Sequence, residues 1–162
     1  LGHDRGSSHG ETRIIRKAYF EHPDYVPLLL RAYDLWRELE ADCGRALLHQ
    51  CGLLIAGPPA GEAVAGARLA RSLHGVPLED VCPGDAALRF PEFQFPAGFD
   101  VIHEPDAGYL KVEDCVRAQI ERGCRAGGSA RFGETVREWS SETATVAVTT
   151  DKGRYSTGAA VI

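Results

Sequence analysis

Three basic side chains lie close together near the N-terminus, His9, Arg13 and Arg16, at offsets of four and three. They follow Gly6-Ser7-Ser8, whose backbone N–H groups have little steric cover and whose hydroxyls add two more donors. That composition suits a concave nest around a phosphate or another anion. If the segment takes one helical turn, all three basic residues project onto the same side. Like charges at this spacing repel by roughly a few tenths of a kcal/mol unless an anion answers them. Two readings stand. In the first, the cluster is a solvated basic face tied to Glu11 and Glu21. In the second, Ile14, Ile15, Ala18 and Tyr19 partly bury the segment, and arginines so placed require carboxylate or phosphate partners.

The rest of the chain reads as the scaffold that must hold this stretch. Its 162 residues are one domain's length, and 44% apolar with 25% charged residues is an ordinary globular balance. A net charge of −5 disfavours nucleic acid and anionic membrane as partners. No run reaches the roughly 18 apolar residues of a membrane span. Five scattered cysteines without a Cys-x-x-Cys spacing fit reduced thiols better than a disulfide framework. The chain holds no methionine, so it is expected to begin inside a longer gene product.

Asp24 is expected to cap a helix running to about Cys43, with Pro27 in its first turn and Gly44 ending it. Tyr25, Leu29, Ala32, Trp36 and Leu39 recur at helical spacing and form its core face. Residues 47–56 read as one buried strand bent at Gly52, and residues 60–74 as a second helix. A short helix is expected over 83–90. Strands at 99–103 and 109–112 should pair around a turn at 105–108. Residues 113–125 read as helix, ended by Gly127-Gly128. Strands near 129–139 and 143–150 follow, and Asp151-Lys152-Gly153 turns the chain into 154–157. Residues 159–162 open another apolar strand, as though the chain were cut there.

The run of residues 5–19, Arg-Gly-Ser-Ser-His-Gly-Glu-Thr-Arg-Ile-Ile-Arg-Lys-Ala-Tyr, followed by a proline-containing helix with Leu35-Trp36-Arg37-Glu38-Leu39, resembles the sarcosine oxidase family. These are FAD-dependent amine oxidases that include pipecolate and N-methyltryptophan oxidases. The resemblance continues through Gln50-Cys51-Gly52-Leu53-Leu54, Leu88-Arg89-Phe90-Pro91, Asp106-Ala107-Gly108-Tyr109 and Val112-Glu113-Asp114-Cys115-Val116-Arg117-Ala118. It implies a mixed α/β chain: a fragment of a glutathione-reductase-type FAD domain plus part of a mixed-sheet substrate domain. Residues 1–45 would supply a flavin-domain loop and long helix, 46–128 mostly substrate domain, and 129–162 a flavin-domain β-meander. The family's glycine-rich pyrophosphate turn, its oxygen-handling lysine and its flavin-tethering cysteine would lie outside this stretch. The segment alone is therefore expected neither to hold FAD tightly nor to turn over.

The resemblance also implies roles. Gly6, Ser7 and Ser8 lie along the FAD, with Arg13, Ile14 and Val136 as further cofactor contacts, the last through its backbone at the adenine. His9 and Arg13 flank the isoalloxazine, where a fixed positive charge favours the reduced flavin. Arg16 pairs with the substrate carboxylate and Tyr19 walls that pocket. Ser8 and Lys17 depart from the bacterial sarcosine oxidases toward the pipecolate-oxidase side, which leaves the choice of amine open. The implied chemistry is oxidation of a secondary or N-methyl amino acid, with dioxygen as co-substrate, giving an imine and hydrogen peroxide. The implied parent is monomeric, cytoplasmic or peroxisomal, and includes the segments on either side of this one.

Other chemistries are weaker. His9-Gly10-Glu11 lacks the Pro-Cys-x-x-Cys of zinc deaminases, and His103-Glu104 lacks the second histidine of a zincin, so no metal ligand is assigned. The rival of a different class is an inert truncated product serving as an interaction module.

Overall fold

The computed structural model describes residues 6–161, so Arg5 at the head of the basic stretch and Ile162 at the end lie outside the described residues. Two compact units divide the described residues, one of residues 6–122 and one of residues 123–161. Both are built on antiparallel sheets.

In the first unit, β1 (Thr12–Ile15) leads through a 3-10 turn at Pro23–Tyr25 into α1 (Val26–Cys43). Gly44 closes α1 at φ 66°. Then come β2 (Leu48–Gln50), β3 (Leu53–Gly57), α2 (Glu62–His74), β4 (Glu79–Val81), α3 (Pro83–Arg89), β5 (Asp100–Glu104), β6 (Gly108–Lys111) and α4 (Val112–Arg125), within which the first unit ends. The strands form two sheets, ordered β1-β6-β2 and β3-β5-β4.

These sheets share one kinked ribbon. Leu48 faces Leu110 and Gln50 faces Gly108; past the kink, Leu53 faces Glu104 and Gly57 faces Asp100. At the kink Gly52 sits at φ 81°, and the N–H groups of Cys51 and Gly52 both donate to Ala107 O, at 3.2 and 2.9 Å. The expected single strand over 47–56 is thus two short strands in different sheets. The expected hairpin of 99–103 with 109–112 is corrected: β5 and β6 follow one another along the ribbon and take β3, β4, β1 and β2 as partners.

Each sheet buries a helix. Ile55 and Ile102 pack with Val64, Ala67 and Ala70 of α2, residues three apart that form one helix face. Ile15 and Leu48 pack with Tyr33 of α1, while Leu39 and Leu47 meet Cys115 and Ala118 of α4. The core face of α1 is Val26, Tyr33 and Leu39 with Trp36 half-buried; Tyr25, expected inside, is 52% exposed. The N-terminal cap also differs from expectation, since Asp24 caps nothing and its own N–H donates to His22 Nδ1 at 3.3 Å.

The second unit is a meander, β7 (Val136–Glu142), β8 (Thr145–Thr150) and β9 (Arg154–Thr157). Its turn at Asp151-Lys152-Gly153 is the expected one, held by a 2.8 Å bond from Thr150 N–H to Gly153 O. β7 begins later than expected, and residues 159–161 are not strand.

Candidate functional site

Residues 12–15 of the basic stretch form a strand, so the helical turn that would align its three cations is not taken. The β-branched Thr12, Ile14 and Ile15 favour a strand, and β6 supplies its ladder. A strand alternates its faces, so Ile15 enters the core while Ile14, beside it, is 66% exposed. Ile14 stands opposite Tyr109, whose ring stacks on His49 at 5.0 Å.

Arg13 reaches back into the preceding loop. Its Nε donates to Ser7 O at 3.0 Å, Nη1 to Thr12 O at 2.7 Å and Nη2 to His9 O at 2.6 Å. His9 Nδ1 donates to Gly6 O at 2.6 Å, because a carbonyl can only accept. Gly6 and Gly10, at φ 74° and 94°, turn the chain through conformations that side chains disfavour. The loop is stapled through its carbonyls, and the N–H groups of Ser7 and Ser8 have no acceptor among the described residues. Among those residues Arg13 also forms no ion pair.

Arg16 reaches the other way. Its Nη2 donates to both carboxylate oxygens of Glu21 at 2.8 Å. The guanidinium carbon lies 4.8 Å from the Tyr19 ring centre and 4.5 Å from that of Phe20. Its Nε is buried without a partner. Gly66 of α2 lets this segment approach, since a Cβ there would stand 2.2 Å from Phe20 O. His9, Arg13 and Arg16 therefore do not share a helical face. His9 and Arg13 form one loop cluster, while Arg16, Tyr19 and Phe20 form a cation–aromatic cluster whose guanidinium is paired with Glu21. The solvated-face reading holds for Arg16 to the extent that Glu21 is its partner.

Between Arg16 and Tyr19 the chain is gripped from a distance. The fully buried carboxylate of Glu104, ending β5, accepts from Lys17 N–H at 2.5 Å and Ala18 N–H at 3.2 Å. Lys17 Nζ pairs with Asp106 at 2.7 Å and lies 4.8 Å from the Tyr33 ring centre. Burial raises the Glu104 carboxyl above its ordinary range, opposed by those backbone donors and by the charges of Arg16 and Lys17. Burial likewise raises the Tyr33 hydroxyl, with Glu104 and Asp106 adding to the effect. Sequence reading missed Glu104 and Asp106. The available signal was an acid two residues past the apolar Val101-Ile102, closing the same strand, where a buried charge requires a built partner.

Val136 lies in the second unit, where it opens β7 opposite Thr150, 57% exposed and next to a bulge before Glu138.

The sequence matches the family described as FAD dependent oxidoreductase over residues 2–162. It is 36% identical over 161 residues to a protein named monomeric sarcosine oxidase from Streptomyces avermitilis, covering 99% of this chain and 42% of the relative. It is 35% identical over 160 residues to N-methyl-L-tryptophan oxidase from Yersinia pestis, covering 99% of this chain and 43% of that protein. Among solved structures it resembles the open form of NikD, an unusual amino acid oxidase essential for nikkomycin biosynthesis. That match has a TM-score of 0.79 and 31% identity over 92% of this chain and 39% of the other. Glycine oxidase from Geobacillus kaustophilus shares the fold, with a TM-score of 0.71 at 20% identity, over 90% of this chain and 42% of that one. The chain thus spans about two-fifths of the length of the curated relatives it matches.

Proposed function

Because this chain belongs to the FAD dependent oxidoreductase family, we propose that the whole protein carrying it oxidises the C–N bond of a secondary or N-methyl amino acid. Dioxygen is the final oxidant, and the products are an imine, which hydrolyses, and hydrogen peroxide. The observation that carries this reading is Arg16, a guanidinium whose Nη2 already holds both oxygens of a carboxylate, with two aromatic rings beside it. An amino-acid carboxylate offers the same two oxygens as Glu21 and can take its place.

The loop's donors fit the family's cofactor. The N–H groups of Ser7 and Ser8, without an acceptor among the described residues, and the cationic side chain of Arg13 suit a phosphorylated, electron-accepting dinucleotide. Space also remains at Gly6, where an added Cβ would meet nothing within 4 Å. In this reading Gly6, Ser7, Ser8, Arg13 and Ile14 hold FAD, and Val136 meets its adenine through the backbone. His9 and Arg13 stand beside the ring, where a fixed cation favours the build-up of negative charge. When bound, FAD accepts the hydride equivalent and passes electrons to dioxygen. Arg16 orients the substrate by its carboxylate, with Tyr19 as a wall, so that the amine carbon is presented in one geometry.

Residues 1–45 and 129–162 go with the flavin domain in this reading, and 46–128 mostly with the substrate domain. No described helix is long and apolar enough to cross a membrane. A monomer in the cytoplasm or the peroxisome completes the proposal.

Oxygen uptake by the whole protein tests it, using N-methyl amino acids, cyclic secondary amino acids and the same amines without their carboxylates. Peroxide formed mole for mole with carboxylate-bearing amines supports the reading. Equal turnover of the carboxylate-free amines, or none with any secondary amino acid, contradicts it.

A further inference from the structure

We propose that Glu104 is a positioning residue for Arg16, its buried carboxylate fixing the turn from which the guanidinium meets the substrate acid. The inference rests on the reading of Arg16 as carboxylate anchor.

Glu104 is the one fully buried charged side chain among the described residues. It lies 87 positions from Lys17 in sequence, yet its Oε1 takes the Lys17 N–H at 2.5 Å, and both oxygens take the Ala18 N–H at 3.3 and 3.2 Å. Those two donors belong to the residues directly after Arg16. Two residues on from Glu104, Asp106 takes Lys17 Nζ at 2.7 Å. One turn of the chain therefore holds residue 17 by both its backbone and its side chain.

Satisfying two backbone N–H groups does not require a charge. A carbonyl would serve at a far smaller desolvation cost. Burial raises the Glu104 carboxyl, and the cations at 16 and 17 lie near enough to oppose that rise, so a carboxylate here answers them as a neutral carbonyl would not. Its consequence becomes visible when substrate displaces Glu21. Arg16 then loses its side-chain tether, and its base is held by the pairing of Ile15 with Gly108 on one side and by the grip on Lys17 and Ala18 on the other. Such preorganisation matters because a shift of about 1 Å in a positioning group can cost around a hundredfold in rate.

The experiment uses the whole protein loaded with FAD, in four forms: unaltered, Glu104→Gln, Arg16→Gln and the double variant. The readouts are flavin content, kcat and KM for an N-methyl amino acid, and kcat/KM for the same amine lacking its carboxylate. Glu104→Gln should raise KM about tenfold for the acid, with kcat and flavin content near the unaltered values and the carboxylate-free amine unaffected. In the Arg16→Gln background it should add nothing further, since coupled residues are non-additive. An equal added loss in that background, or an equal loss with the carboxylate-free amine, would reduce Glu104 to a fold-holding group and overturn the proposal. If Arg16→Gln alone leaves KM unchanged, the anchor reading falls and this inference falls with it. Should Glu104→Gln fail to fold, Asp106→Asn loosens the same turn from a partly exposed site. It is expected to show the same selectivity for the acid at about two- to threefold, and a uniform effect on both amines would overturn the proposal.

Discussion

Arg16→Gln and Glu21→Gln should move the whole protein in opposite directions, because each removes one side of a pair that substrate must break. Arg16 is 19% exposed in its side chain and lies against two rings, so its bond to an incoming carboxylate forms largely out of water. A charge-assisted bond of this kind contributes about 1.5–3 kcal/mol, which predicts a KM for the amino acid about 10- to 150-fold higher in Arg16→Gln. Glu21 is 41% exposed, and solvent screens its hold on Arg16. Such a pair is worth up to about 1 kcal/mol, so relieving the competition in Glu21→Gln should lower KM by about two- to fivefold. Oxygen uptake over a range of amino-acid concentrations, with flavin content measured per protein, reads both effects. An unchanged KM in Arg16→Gln, or a raised KM in Glu21→Gln at full flavin content, refutes the reasoning.

Three further perturbations test other parts of the account. Glu40 accepts from Leu47 N–H at 2.7 Å, Leu48 N–H at 2.8 Å and Arg37 at 2.6 Å, tying the end of α1 to the start of β2. Glu40→Ala should therefore cost about 2–4 kcal/mol in denaturant unfolding. Burial pushes the Glu40 carboxyl up, but these donors outweigh it and hold it below the ordinary 4.5. Its contribution is thus present above pH 4.5 and lost as pH falls through the lower folded value, so the variant's deficit should shrink in acid. A deficit that grows in acid would contradict this. Gly66→Ala drives a methyl group into Phe20 O and should destabilise by about 1–3 kcal/mol while raising KM for the acid; a neutral melting curve would contradict it. Burial raises the Cys115 thiol to about 11, so iodoacetamide at pH 8 should label it only after unfolding. Prompt labelling in the folded protein would contradict its buried placement.

The sequence announced what local chemistry decides. The helix ending at Gly44 and the turn at Asp151-Lys152-Gly153 were legible because capping and turn residues act over a few positions. The cation cluster and its nearby carboxylate partner, Glu21, were legible as types. Their arrangement was not, because offsets of four and three suggested a helix while pairing with β6 made Arg13 part of a strand. The turn at 105–108 looked like a hairpin for the same reason. The chain does turn there, but the ribbon kinks at Gly52 and Ala107, sending β5 and β6 into different sheets. Glu104 was invisible as a partner of Lys17 and Ala18, since nothing local to either segment encodes a contact 87 positions apart. Only its odd placement two residues past Val101-Ile102 hinted that a buried charge had to be answered.

The central claim is that a carboxylate-bearing secondary amine delivers its electrons to a flavin held beside this loop. Mixing the FAD-loaded whole protein with an N-methyl amino acid in the absence of oxygen tests this most directly, with flavin absorbance as the readout. The account predicts bleaching at a rate that saturates with the amino acid, followed by recovery of colour and release of peroxide on admitting air. A flavin that stays oxidised with every secondary amino acid, yet bleaches with a donor bearing no carboxylate, would contradict it.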